Sequence, residues 1–173
     1  MPDVQTLLTG LAIGESPRWH QGRLWFSNWV AQEIVAVDPA GGQSEVVLRL
    51  PFPSYPFSID WLPDGRLLIA SFSDRPLLRQ EPGGELVPHA ALSRHCNEIV
   101  VDGRGNIYLN GADFDPSASQ GVAPGVVVLV AADGAARQVA DGLAFPNGMA
   151  VTPDNATLIV AESYARQLTA FDI

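Results

Sequence analysis

Glu15, Asn97 and Asn147 are the residues of this 173-residue chain whose types and spacing best suit chemistry. Each stands four residues ahead of an apolar centre, at Trp19, Val101 and Val151 respectively. One carboxylate and two carboxamides make an oxygen-only set. Such a set suits a hard divalent cation such as calcium, magnesium or manganese, whereas a soft metal would want other ligands. A plainer reading stays open beside it: Asn147-Gly148 can serve a turn, and Glu15 can be a solvated loop residue.

The elements that must position these residues recur along the chain. The stretches beginning at Ser16, Ser58, Asn97 and Asn147 each read as a short apolar strand, a turn and a second apolar strand. Their centres Trp19, Trp61, Val101 and Val151 are 42, 40 and 50 residues apart. A period of roughly 40 to 50 residues with several strands per copy predicts an all-β fold, a β-propeller in which each repeat is one four-stranded blade. Pro and Gly punctuate the chain too often for amphipathic helices. Runs such as Val126-Val-Val-Leu-Val and Thr157-Leu-Ile-Val-Ala are apolar on both faces, as in a sheet packed between neighbouring sheets.

The expected organisation is one domain over 1–173, with repeats of roughly 14–57, 58–96, 97–146 and 147–173. In the first three copies a third strand (from Ile34, Leu77 and Val126) leads to a fourth, such as Glu45–Leu50 and Arg137–Ala140. The fourth copy ends on its third strand, Gln167–Ile173. Because the first strand of each blade lines the central channel, the repeat predicts that Glu15, Asn97 and Asn147 point toward one axis. Phe57 takes that place in the second copy and would form an apolar wall. An insertion over 113–124, rich in Gly, Pro, Ser and Ala, accounts for the longer third copy, either as a cover for the channel mouth or as a tolerated surface loop.

Composition narrows the functional classes. The net charge of -9 and the absence of a basic run argue against nucleic acid or an anionic membrane as partner. All ten basic residues are Arg, which removes lysine-dependent Schiff-base chemistry. The one cysteine, Cys96, cannot form an internal disulfide or a multi-cysteine zinc site, and reads as a small buried residue. The segment Met1-Pro-Asp-Val-Gln-Thr-Leu-Leu-Thr-Gly lacks the pattern of a signal peptide, so a cytoplasmic location is expected. Ser16, in Gly14-Glu-Ser-Pro-Arg, does not sit in a nucleophile elbow, and no P-loop or H-E-x-x-H pair is present.

Three motifs in order, Gly14-Glu-Ser-Pro-Arg-Trp, Asn97-Glu-Ile-Val-Val-Asp and Phe145-Pro-Asn-Gly-Met-Ala-Val-Thr-Pro-Asp, resemble those of the gluconolactonase family, also called the regucalcin or senescence marker protein family. The resemblance runs through the whole chain. It implies a six-bladed propeller, of which this chain covers about the first three and a half to four blades. It also implies a metal-dependent hydrolase acting on sugar-acid or related lactones. By that resemblance Glu15 and Asn147 are metal ligands and Asn97 contacts substrate. The cation would be calcium first, with magnesium, manganese or zinc as alternatives. It would act as a Lewis acid on the lactone carbonyl while a carboxylate takes a proton from water.

In the family the general base is an aspartate of the next repeat, expected beyond Ile173, so no catalytic base is expected within the chain. Asp154, in a hairpin turn, and Asp172, at the end of a third strand, are poor substitutes. Two positions depart from the family pattern: His95 stands where an arginine is usual, and Glu98 replaces an aspartate. His95 is either a substrate contact or an ordinary loop histidine. Against the lactonase reading stands a second one, a non-catalytic partial propeller that binds or self-assembles through an open blade edge.

Overall fold

The computed structural model describes residues 4–40, 42–71, 77–92, 95–112 and 123–173. Among these residues fifteen strands form four antiparallel sheets, each a meander in chain order. The first contains β1 (Gly14–His20), β2 (Arg23–Asn28), β3 (Glu33–Val37) and β4 (Ser44–Arg49). The second contains β5 (Phe57–Trp61), β6 (Leu67–Ser71), β7 (Leu77–Gln80) and β8 (Leu86–Pro88). The third contains β9 (Glu98–Val101), β10 (Ile107–Gly111), β11 (Gly125–Val130) and β12 (Ala136–Leu143). The fourth has three strands, β13 (Pro146–Val151), β14 (Thr157–Glu162) and β15 (Gln167–Asp172). The all-β propeller-blade architecture is as expected. Residues 113–122 of the insertion lie outside the described residues.

By contact density the chain divides into two compact units, Met1–Tyr55 and Pro56–Ile173. Unit 1 holds the first sheet, whose core of Phe26, Val35 and Val37 is covered by Leu7, Leu8 and Leu24. In unit 2 one core lies between the second and third sheets, where Leu68, Ile99 and Leu109 are wholly enclosed. A second, between the third and fourth sheets, joins Val100, Tyr108 and Val127 to Met149, Leu158 and Val160. Each such side chain contributes about 1.5–3 kcal/mol when fully buried. This is why the middle strands read as unbroken apolar runs, while the outermost β4 and β12 are largely exposed.

The first hairpin of each sheet is set by its turn residues. In the first sheet Gln21 (φ +49°) and Gly22 (φ +74°) make a two-residue turn of the primed kind. The other three use longer loops closed by an aspartate: Asp64, Asp102 and Asp154 each accept backbone N–H bonds from residues two to four positions after them. Across the sheets Asp60 Oδ2 accepts the Val101 N–H at 2.8 Å, tying β5 to β9. Asn155 Oδ1 accepts the Gly103 N–H at 2.6 Å, tying the fourth sheet to the third.

The first strands are not alike. β5 and β9 pair residue for residue with their neighbours. β1 and β13 each carry an extra residue, at 15–18 and 146–149. Such a bulge sets two residues against one and re-aims the side chains beyond it. Counting rungs from Trp19, Glu15 pairs with Ser27 on the third. In the unbulged β9 the third rung is Glu98, opposite Asn110, and Asn97 lies one rung further. The shared four-residue spacing therefore does not carry the three polar residues to one rung.

Candidate functional site

Asn147 owes its place to the bulge in β13 and to the anchors on either side of it. Pro146 pairs with Glu162 and Met149 with Val160, leaving Asn147 and Gly148 together opposite Ala161. Ahead of the bulge Phe145 adopts φ +57°, an unfavourable conformation for a bulky residue preceding proline. It is held there by its carbonyl, which accepts the Ser163 N–H at 3.0 Å, and by its ring, which stacks on Tyr164 at 4.7 Å.

The buried Glu162 completes the anchor. Its Oε2 accepts the Ala144 N–H at 2.7 Å and its Oε1 accepts from Gln167 Nε2 at 2.8 Å and from the Thr169 hydroxyl. These bonds, the Thr169 hydroxyl foremost, hold its carboxyl below the usual glutamate range. Gly125 is needed on the other side. A Cβ there would lie 2.2 Å from Pro146 Cδ, so only glycine lets β11 pass the proline ring.

Asn97 meets Asn147 across the third and fourth sheets. Their amides face each other, with Asn97 Nδ2 3.5 Å from Asn147 Oδ1, and both residues are half-buried. At that length the contact is weak, and it leaves the Asn147 oxygen open to a stronger partner. Beside the pair lies Asn110, 1% exposed. Its carbonyl accepts the Asn97 N–H at 2.7 Å, and its Nδ2 donates to the Asn147 carbonyl.

Glu15 belongs to unit 1. It is half-buried on the bulged β1, opposite Ser27, and is followed by Ser16, which is buried at φ +53°. Ser27 is wholly enclosed and its hydroxyl has no partner among the described residues; the same holds for Asn28 Oδ1. Among the described residues no three His, Cys, Asp or Glu side chains gather to hold a metal. What the described residues offer instead is amide oxygen, with Asn147 Oδ1 only weakly engaged and Asn110 Oδ1 buried without a donor among them. That donor set fits a hard cation and not a thiophilic one.

The remaining sequence candidates are placed as follows. His95 is exposed, and its carbonyl lies where a Cβ on Gly111 would come within 2.6 Å. Cys96 is buried, which pushes its thiol up to about 12 and makes it inert as a nucleophile. Phe57 is wholly enclosed. Asp154 is exposed and accepts the Thr152 hydroxyl at 2.6 Å; Asp172, on β15, pairs with Thr157 of β14. Asn110 and Glu162 escaped the sequence reading, since each stands at the end of an ordinary apolar strand and its partners are set by the tertiary fold.

The profile of the SMP-30/gluconolactonase/LRE-like region matches residues 13–173. The chain belongs to that family. No curated protein matches the sequence. Among solved structures, a gluconolactonase from Xanthomonas campestris is similar over 97% of this chain and 61% of its own, at 24% identity and TM-score 0.76. Regucalcin from Agrobacterium tumefaciens, a calcium-binding protein, matches over 95% of this chain and 55% of its own (21% identity, TM-score 0.71). A luciferin-regenerating enzyme matches over 96% and 57% (18% identity, TM-score 0.73). The family member described here thus spans about three fifths of the length of these relatives. At such identities the likeness establishes a shared propeller fold. Among the described residues no helix is long and apolar enough to cross a membrane.

Proposed function

We propose that this family member serves the hydrolysis of small lactones of the sugar-acid type with the help of one divalent cation, calcium first. The observation that carries the reading is the Asn97–Asn147 amide pair, 3.5 Å apart, with Asn147 on a bulge held by Glu162 and Tyr164. Asn147 would hold the cation through Oδ1, and Glu15 is a candidate ligand by its motif Gly14-Glu-Ser-Pro-Arg. Asn97 and His95 would contact the substrate. Bound there, a dication would draw charge from a lactone carbonyl. A neutral amide ligand leaves that pull less quenched than a second carboxylate would.

The test is hydrolysis of a small aldonolactone by the chain extended past Ile173 into the repeat expected to carry the general base, followed with calcium and after chelation. Loss of turnover by at least about tenfold on chelation, and by a similar factor in Glu15→Ala and Asn147→Ala, is expected. Hydrolysis unchanged in both variants would sink the reading.

One observation favours a second reading, a binding or assembling module. Among the described residues β15 pairs with β14 alone, and Leu168 on it is 72% exposed. An unpaired apolar edge is a template for strand addition. The native mass of the purified chain separates the two, since a monodisperse monomer at all concentrations would count against assembly.

A further inference from the structure

The third rung of the second strand is occupied by Ser27, Ala70 and Ala161 in the first, second and fourth sheets, and by Asn110 in the third. An amide is a poor choice for packing at that place. Asn110 is 1% exposed, and while its Nδ2 finds the Asn147 carbonyl, its Oδ1 is buried with no partner among the described residues. Burying a half-satisfied amide costs stability that alanine would not. The contact that it makes in return is specific. The bulge takes Asn147 off the β13–β14 ladder, and the Asn110 amide from the neighbouring sheet supplies its carbonyl with a donor. The Asn110 carbonyl meanwhile fixes the Asn97 N–H at 2.7 Å.

We propose that Asn110 is a positioning residue: it locks the Asn147 bulge against Asn97 and so sets the spacing of the two amides that would face the cation and the substrate. The cation part of this rests on the lactonase reading; the locking of Asn147 does not. The experiment compares the full chain with Asn110→Ala in two ways. Backbone amide exchange at 147–149 is followed without metal, and binding of calcium alone is measured by calorimetry.

Exchange at 147–149 is expected to quicken about tenfold while β10 keeps its protection, and calcium affinity to fall by about tenfold or more. The melting temperature should move by no more than a few degrees. Unchanged exchange at 147–149 overturns the proposal, and so does quickened exchange with undiminished calcium affinity. If the unaltered chain binds no calcium yet exchange quickens in the variant, the metal reading falls and the locking role stands. Should Asn110→Ala fail to fold, Asn110→Ser, which brings in the residue type found at Ser27, carries the same comparison.

Discussion

The bulged first strands, β1 and β13, and the regular ones, β5 and β9, solve different problems with nearly the same sequence pattern. In β5 and β9 every residue has one partner, and the third-rung residues Ser58 and Glu98 are almost fully enclosed. In β1 and β13 an extra residue brings Glu15 and Asn147 to the level that Ser58 and Glu98 occupy elsewhere, half-buried rather than enclosed. Side chains alternate along a strand, so a one-residue slip turns a residue from one face to the other. The candidate cation ligands thus share the irregular strands, and the substrate-contact candidate Asn97 adjoins a regular one.

The sharpest way to break this comparison is to crowd the bulge. In Gly125→Ala the new Cβ would fall 2.2 Å from Pro146 Cδ, so β11 or the bulge must move. A loss of about 3 kcal/mol or more is expected, at the upper end for overpacking. Gly111→Ala meets the His95 carbonyl at 2.6 Å beside the regular β9 and should cost similarly. The two differ in calcium titration of whatever folded protein remains, where only Gly125→Ala should weaken binding beyond its share of unfolding. Equal calcium affinity in both variants would detach the bulge from the site.

A smaller effect comes from the bulge's anchor. Glu162→Gln keeps the shape but removes the charge that receives Ala144 N–H, Gln167 and Thr169, and should cost about 1–3 kcal/mol at neutral pH. The sign of the pH dependence follows from the depressed carboxyl. Its contribution is fully present above the ordinary glutamate value of about 4.3 and is lost as pH falls through the lower folded value. Urea midpoints at pH 7 and pH 3 check this. The gap between the unaltered chain and Glu162→Gln should narrow at pH 3, and a gap that stays constant would show that the carboxylate charge is not what holds Ala144.

The sheets were legible in the sequence because their punctuation is local. Leu62-Pro-Asp-Gly and Asp102-Gly-Arg-Gly fix turns by their own φ preferences and Asx bonds, and the apolar runs between them leave only strands. The register was not legible. A bulge changes no residue count between turn and motif, and its only local signs are Pro17 inside β1 and Gly148 inside β13, which a strand tolerates at bulges. Asn110 was invisible for a different reason: its partner carbonyl is 37 residues on, in the next sheet, and nothing in Ile107-Tyr-Leu-Asn-Gly marks the asparagine as special.

The smallest effect compares the hairpin of the bulged fourth sheet with those of the regular second and third. Gly65 and Gly105 close the regular hairpins at φ +85° and +86°, but Asn155 closes the fourth at φ +56°. Asparagine is strained there relative to glycine, yet its Oδ1 holds the Gly103 N–H of the third sheet. In Asn155→Gly relief of strain should offset loss of that exposed bond, leaving stability within about 0.5 kcal/mol, whereas Gly105→Asn should cost about 1 kcal/mol. Thermal melts of the two variants decide. A clear stabilisation by Asn155→Gly would mean that the bond to Gly103 adds nothing. The fourth sheet would then be held to the third by the packing of Met149, Leu158 and Val160 and by the Asn110–Asn147 contact.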